Sequence, residues 1–155
     1  MSALDAYINP EQLPSSEAGR IGLILGLTTE EPMTDVALAG KVGEGLLPAA
    51  ADRLADFLGR GMVVGQIIPE ATLRRARKDR KVLPREMSER LYEMSRVVDA
   101  VARAYHGDQD AAHRFLTTPH PLLDHQAPLD LARSSSAGAD AVLNLLRRAE
   151  AGFAL

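Results

Sequence analysis

The 155-residue sequence has no cysteine and no tryptophan, and its aromatic side chains are three tyrosines and three phenylalanines. Without cysteine there is no disulfide, no thiolate nucleophile and no cysteine-held metal, so nothing ties the chain to an oxidising compartment and the cytoplasm is its expected location. So few aromatics leave the core to Leu, Val, Ile, Met and Ala, which suits packed helices better than stacked sheets. Long apolar runs are missing as well. The most apolar stretch, Ile21 to Leu27, is far too short to cross a bilayer, and no basic flank precedes an apolar run at the start, so neither membrane insertion nor secretion is expected. Neither a repeat of fixed period nor the alternating pattern of a multi-stranded sheet is found.

What is present is an ordinary globular composition, 46% hydrophobic and 25% charged, at a length that fits one domain or two small units sharing a core. The net charge of −3 conceals an uneven distribution. Residues 1–71 hold 4 basic against 10 acidic side chains, residues 72–104 hold 10 against 5, and residues 105–155 hold 4 against 6. A basic stretch inside an acidic chain says more about partners than the total does.

Residues 1–20, with Pro10, Pro14, Ser15, Ser16 and Gly19, show little periodicity and read as an irregular arm. Ile21 to Leu27 fits a strand or a helical turn equally well. A short helix is expected over 32–42, with Val36, Ala39 and Val42 inward and Gly43 and Gly45 ending it. Pro48 opens the next, with Leu54 and Phe57 buried and Gly59 past its end. Pro69 starts a helix to Arg80, and after Pro84 the series Met87, Leu91, Met94, Val98, Val101 and Tyr105 steps by three or four, the longest helical pattern in the chain. Asp108 caps a helix running to Leu116, Pro119-His120-Pro121 forces a turn, Pro128 opens a short helix, and Ser134 to Ser136 with Gly138 break it. A last helix is expected over 140–151, with Ala141, Val142, Leu145, Leu146 and Ala149 inward and Gly152 at its end. The fold class is all-α.

Six of the eight residues from Arg74 to Lys81 are cationic. The helix with Leu54 and Phe57, the turn at Gly59 to Gly61, the apolar Met62 to Ile68 and this basic helix follow one another in helix-turn-helix order. In that arrangement Leu73 faces the core, while Thr72, Arg74, Arg75, Arg77 and Lys78 are the candidate DNA contacts. A solvated basic face fits the same composition.

Other polar clusters carry less. His106, His113, His120 and His125 form no helical His-x-x-x-His pair, a Ser134–His120–Asp124 set lacks a nucleophile elbow, and Gly43-x-Gly45 lacks the Lys or Ser of a phosphate loop. No catalytic residue, metal or cofactor is expected, and the chain does not read as an enzyme.

The C-terminal half resembles the Xre/MbcA/ParS antitoxins. The resemblance rests on Thr72-Leu73-Arg74-Arg75, on the run from Phe115 through Pro119-His120-Pro121 to Leu123, on Ala127-Pro128-Leu129-Asp130-Leu131, and on the closing stretch from Gly138 through Val142 and Leu145 to Gly152. It extends over roughly residues 36–155. Departures are Phe115 where many relatives carry Trp, His125-Gln126 in place of a Gly-containing turn, and Ser134 to Ser136 widening the link to the last helix. The resemblance implies a toxin-binding C-terminal domain. Its implied partners are RES-domain toxins, NAD-degrading or ADP-ribosylating, inhibited when the end of the last helix and the tail cover their active site. In this sequence that end maps to Arg147, Arg148, Glu150, Gly152, Phe153 and Leu155. The apolar Phe153 suits a pocket anchor, or a fold-back over the last helix. Arg147 and Arg148 also fit solvated charges that complement a helix C-terminus.

The expected organisation is therefore a flexible or irregular arm at 1–32, a helix-turn-helix (Xre-type) domain at 33–84 and a toxin-binding domain at 85–155. Operator DNA and a second copy of the chain complete the set of expected partners, with autoregulation of the operon through DNA binding. The alternative reading is a helix-turn-helix transcriptional regulator without a toxin partner.

Overall fold

The computed structural model describes residues 3–27 and 31–152. Among them are ten α-helices: α1 Asp5–Ile8, α2 Glu17–Leu25, α3 Asp35–Glu44, α4 Ala49–Leu58, α5 Arg60–Val63, α6 Glu70–Asp79, α7 Arg85–Ala104, α8 Gln109–Thr117, α9 Pro128–Ser134 and α10 Ser136–Glu150. Two 3-10 turns, Pro10–Gln12 and Pro121–Leu123, complete the regular structure, and the described residues form no strand. The all-α expectation holds.

The chain divides into two compact units, Pro14–Ser95 and Met1–Leu13 with Arg96–Leu155. The division falls inside α7. In the Pro14–Ser95 unit, α2 packs on α3 and α4, and α4 on α5. Its interior holds Ile21, Leu25, Leu46, Leu54, Leu58, Ile68, Leu73 and Leu83, all nearly inaccessible. In the other unit, α9 packs on α8 and α10, around Leu116, Leu129, Val142 and Leu146.

Several sequence expectations are corrected. The expected irregular arm contains α1 and α2. The Ser16 side chain caps α2 by accepting from Gly19 N at 3.0 Å, and Ala18, Ile21, Ile24 and Leu25 are buried. The Ile21–Leu25 run is therefore helical. α3 begins at Asp35, capped by Thr34, and buries Leu38 and Val42 while Val36 is 83% exposed, so its inner face is rotated from the one expected. α10 begins four residues early. Only Ser135, with extended backbone, interrupts the chain between α9 and α10, and Gly138 lies inside the helix.

Candidate functional site

The end of α10 is the first candidate. The Ser135 hydroxyl caps the helix, accepting from Gly138 N at 2.9 Å. A Cβ on Gly138 would lie 2.0 Å from the Leu131 carbonyl oxygen, so only glycine lets α10 start this close to α9. Val142, Leu143, Leu145 and Leu146 are all buried, and their packing fixes which side chains remain outside at the last turn. Those are Arg147, Arg148 and Glu150, with Gly152 following in a left-handed conformation at φ +97°. Arg147 donates to Asn144 Oδ1 at 3.0 Å, one turn back. Glu150 accepts from Arg103 at 3.2 Å. The structure thus brings together four of the six residues mapped to toxin contact, while Phe153 and Leu155 lie outside the described residues.

Sequence reasoning missed what stands behind this turn. Asp99, 1% exposed, accepts the Tyr7 hydroxyl on Oδ1 at 2.7 Å and faces Arg103 Nε with Oδ2 at 3.4 Å, an ion pair rather than an aligned hydrogen bond. Arg103 therefore links a buried carboxylate to the exposed one of Glu150. A signal was available: Asp99 interrupts the apolar run Val97, Val98, Ala100, Val101 and Ala102, and a carboxylate on a buried helix face needs a partner.

The loop between α8 and α9 is tightly wired. Leu122 N donates to His120 Nδ1 at 3.1 Å, His120 bridges to Gln126, and Asp124 and His125 both take left-handed backbone, φ 53° and 61°. The loop leaves Leu122 60% exposed. Beneath it the Phe115 ring lies 5.8 Å from Tyr105 and 6.2 Å from His120, centroid to centroid. Burial raises the Tyr105 phenol above its ordinary value, and the Arg114 cation opposes this.

The second candidate is α6. Leu73 and Ala76 are buried, Thr72 is half-buried, and Arg74, Arg75, Arg77 and Lys78 are exposed. Arg77 is engaged by Asp52 of α4 in an ion pair, whereas Arg74, Arg75 and Lys78 face solvent. The helix ends at Arg80, itself left-handed. Where a turn was expected at Gly59 to Gly61 the chain forms the four-residue α5, Arg60–Val63, and the rest of the apolar stretch to Ile68 precedes α6 without a further helix.

Among the described residues no three His, Asp or Glu side chains gather as a metal site. His120 and Ser134 serve local structure, the latter donating to Leu131 O at 2.7 Å. No described helix is long and apolar enough to cross a membrane.

Residues 101–152, about a third of the chain, match the family model of the antitoxin Xre/MbcA/ParS C-terminal toxin-binding domain. The match begins within α7 and runs through α8, α9 and α10 to Gly152. Among curated proteins none matches the chain.

Proposed function

We propose, from the match of residues 101–152 to the antitoxin Xre/MbcA/ParS C-terminal toxin-binding domain, that the chain is an antitoxin which neutralises its toxin by covering the toxin's active site with the end of α10 and the residues beyond it. The observation that carries this reading is the family match over 101–152, ending where Arg147, Arg148 and Glu150 stand exposed on a helix turn backed by a buried core. Two guanidinium groups and a carboxylate on a supported helix end offer directional contacts to a polar cleft, and Phe153 and Leu155 add an apolar anchor. Because the helix backbone that carries Arg147, Arg148 and Glu150 is already formed, their contacts require little backbone ordering on binding.

The partner class that fits is a RES-domain toxin, which consumes NAD or transfers ADP-ribose, acting in the cytoplasm. The domain plan that accompanies this reading is 33–84 for DNA contact and 85–155 for toxin contact. The exposed Arg74, Arg75 and Lys78 on α6 favour autoregulation through operator DNA, and also support the alternative of a transcriptional regulator without a toxin. Co-expression with the product of the adjacent open reading frame separates them. An antitoxin restores growth, and the double variant Arg147→Glu, Arg148→Glu loses that rescue while Arg74→Ala, Arg75→Ala keeps it. A regulator without a toxin partner rescues nothing in either form.

A further inference from the structure

Residues 3–13 lie far from the family match in sequence, yet they belong to the same compact unit. Leu4 and Tyr7 are buried, and the Tyr7 hydroxyl reaches Asp99 at 2.7 Å across 92 residues of chain. A second, steric observation agrees. A Cβ on Gly107 would lie 2.8 Å from Ile8 Cγ1, 3.0 Å from Ile8 N and 3.2 Å from the Tyr7 carbonyl carbon, so the backbone of this segment rests directly on the turn between α7 and α8. With φ at +79°, that turn favours glycine twice over, for its conformation and for the room it leaves.

The buried hydrogen bond has a directional consequence. A carboxylate at 1% exposure has lost its hydration, and its rotation is set by whichever donors remain. By occupying Oδ1, the Tyr7 hydroxyl leaves Oδ2 facing Arg103, and Arg103 in turn holds Glu150 at 3.2 Å. Tyr7, Asp99, Arg103 and Glu150 thus form one polar line from the buried segment to the last turn of α10.

We infer that residues 3–13 are a strap completing the toxin-binding unit, and that Tyr7 is a positioning residue which holds the Glu150 end of α10 through Asp99 and Arg103. The inference rests on the reading of the α10 end as the toxin contact. Tyr7 and Asp99 both lie outside the matched residues 101–152, so this support belongs to the present chain rather than to the matched domain alone. Toxin affinity then depends on a segment that touches no toxin.

The test uses the full-length protein and the variants Tyr7→Phe, Asp99→Asn and Glu150→Gln. Amide hydrogen exchange and thermal unfolding are measured on the free chains, and dissociation rates on complexes with the product of the adjacent open reading frame. In all three variants, exchange at residues 148–152 is expected to quicken about three- to tenfold while residues 142–146 stay unchanged. Tyr7→Phe is expected to weaken the complex by up to about tenfold, the size of one ordinary hydrogen bond, mostly through faster dissociation. Unchanged exchange at 148–152 in Tyr7→Phe and Glu150→Gln would overturn the inference, as would an equal quickening across the whole unit, which marks a structural role only. Should Asp99→Asn fail to fold, the other two variants decide, since one keeps its ring and the other alters a half-exposed side chain. If the wild-type chain captures no partner, the proposed function fails, and the exchange result still judges the strap.

Discussion

The backbone amide of Leu46 donates to the Ser88 hydroxyl at 2.8 Å, and the same hydroxyl faces the Leu83 carbonyl at 3.4 Å, all three residues being buried. Leu83 N closes the arrangement by donating to Leu46 O at 2.7 Å. One serine on α7 therefore serves the two loops that precede α4 and α7. Ser88→Ala leaves a buried amide without a partner and is expected to destabilise the protein by about 1–3 kcal/mol. Urea denaturation measures this as a lower midpoint with an unchanged slope.

Glycine-to-alanine changes are expected to differ in sign with position. At Gly138 a Cβ would meet the Leu131 carbonyl oxygen at 2.0 Å, a backbone atom that cannot swing aside, so Gly138→Ala should cost about 1–3 kcal/mol or more through forced separation of α9 and α10. At Gly40 and Gly43 on α3 a Cβ meets nothing within 4 Å, and the same change should stabilise by about 0.5–1 kcal/mol through helix propensity. Parallel melts of the three variants check both signs.

The α6 face yields a salt-dependence prediction. If it holds operator DNA, replacing Arg74, Arg75 or Lys78 by Ala should each reduce the slope of log K against log salt by about 0.9, one phosphate contact apiece. Arg77, already engaged by Asp52, should change the slope less. Anisotropy titrations on a duplex from the chain's own promoter read the slopes, and slopes unaltered by all four changes would leave α6 as a solvated face.

Tyr105 gives a test in pH. Its phenol is raised above the ordinary value of about 10 by burial, against the opposing effect of Arg114. Above that pH the unfolded phenol ionises first, so the unfolded state binds fewer protons and stability falls as pH rises. Wild type should lose stability relative to Tyr105→Phe between neutral and strongly alkaline pH, and the two curves should run parallel below about pH 9.

Much of this fold could be read in the sequence where the pattern was long or its ends were marked. The three-four spacing from Met87 to Val101 became α7, Asp108 caps α8 by accepting from Ala111 N at 3.1 Å, and Gly59 and Gly152 stand where helices end. The stripe Ala18, Ile21, Leu25 also steps by three and four, but prolines and serines before residue 20 divided it in two. Gly138 read as a breaker because sequence alone does not reveal the carbonyl of Leu131 beside it. The exposed Arg147, Arg148 and Glu150 followed from a helix end and a family resemblance. Tyr7 did not, since a hydrogen bond across 92 residues leaves no periodic trace, and only Asp99 in its apolar run hinted at a missing partner.

The most direct test of active-site occlusion is NAD consumption by the purified product of the adjacent open reading frame, titrated with the full chain and with a chain ending at Glu150. Occlusion predicts that the full chain abolishes turnover near stoichiometry and that the shortened chain leaves most of it. Equal inhibition by both would contradict occlusion by the C-terminal end, and inhibition by neither would contradict the antitoxin reading itself.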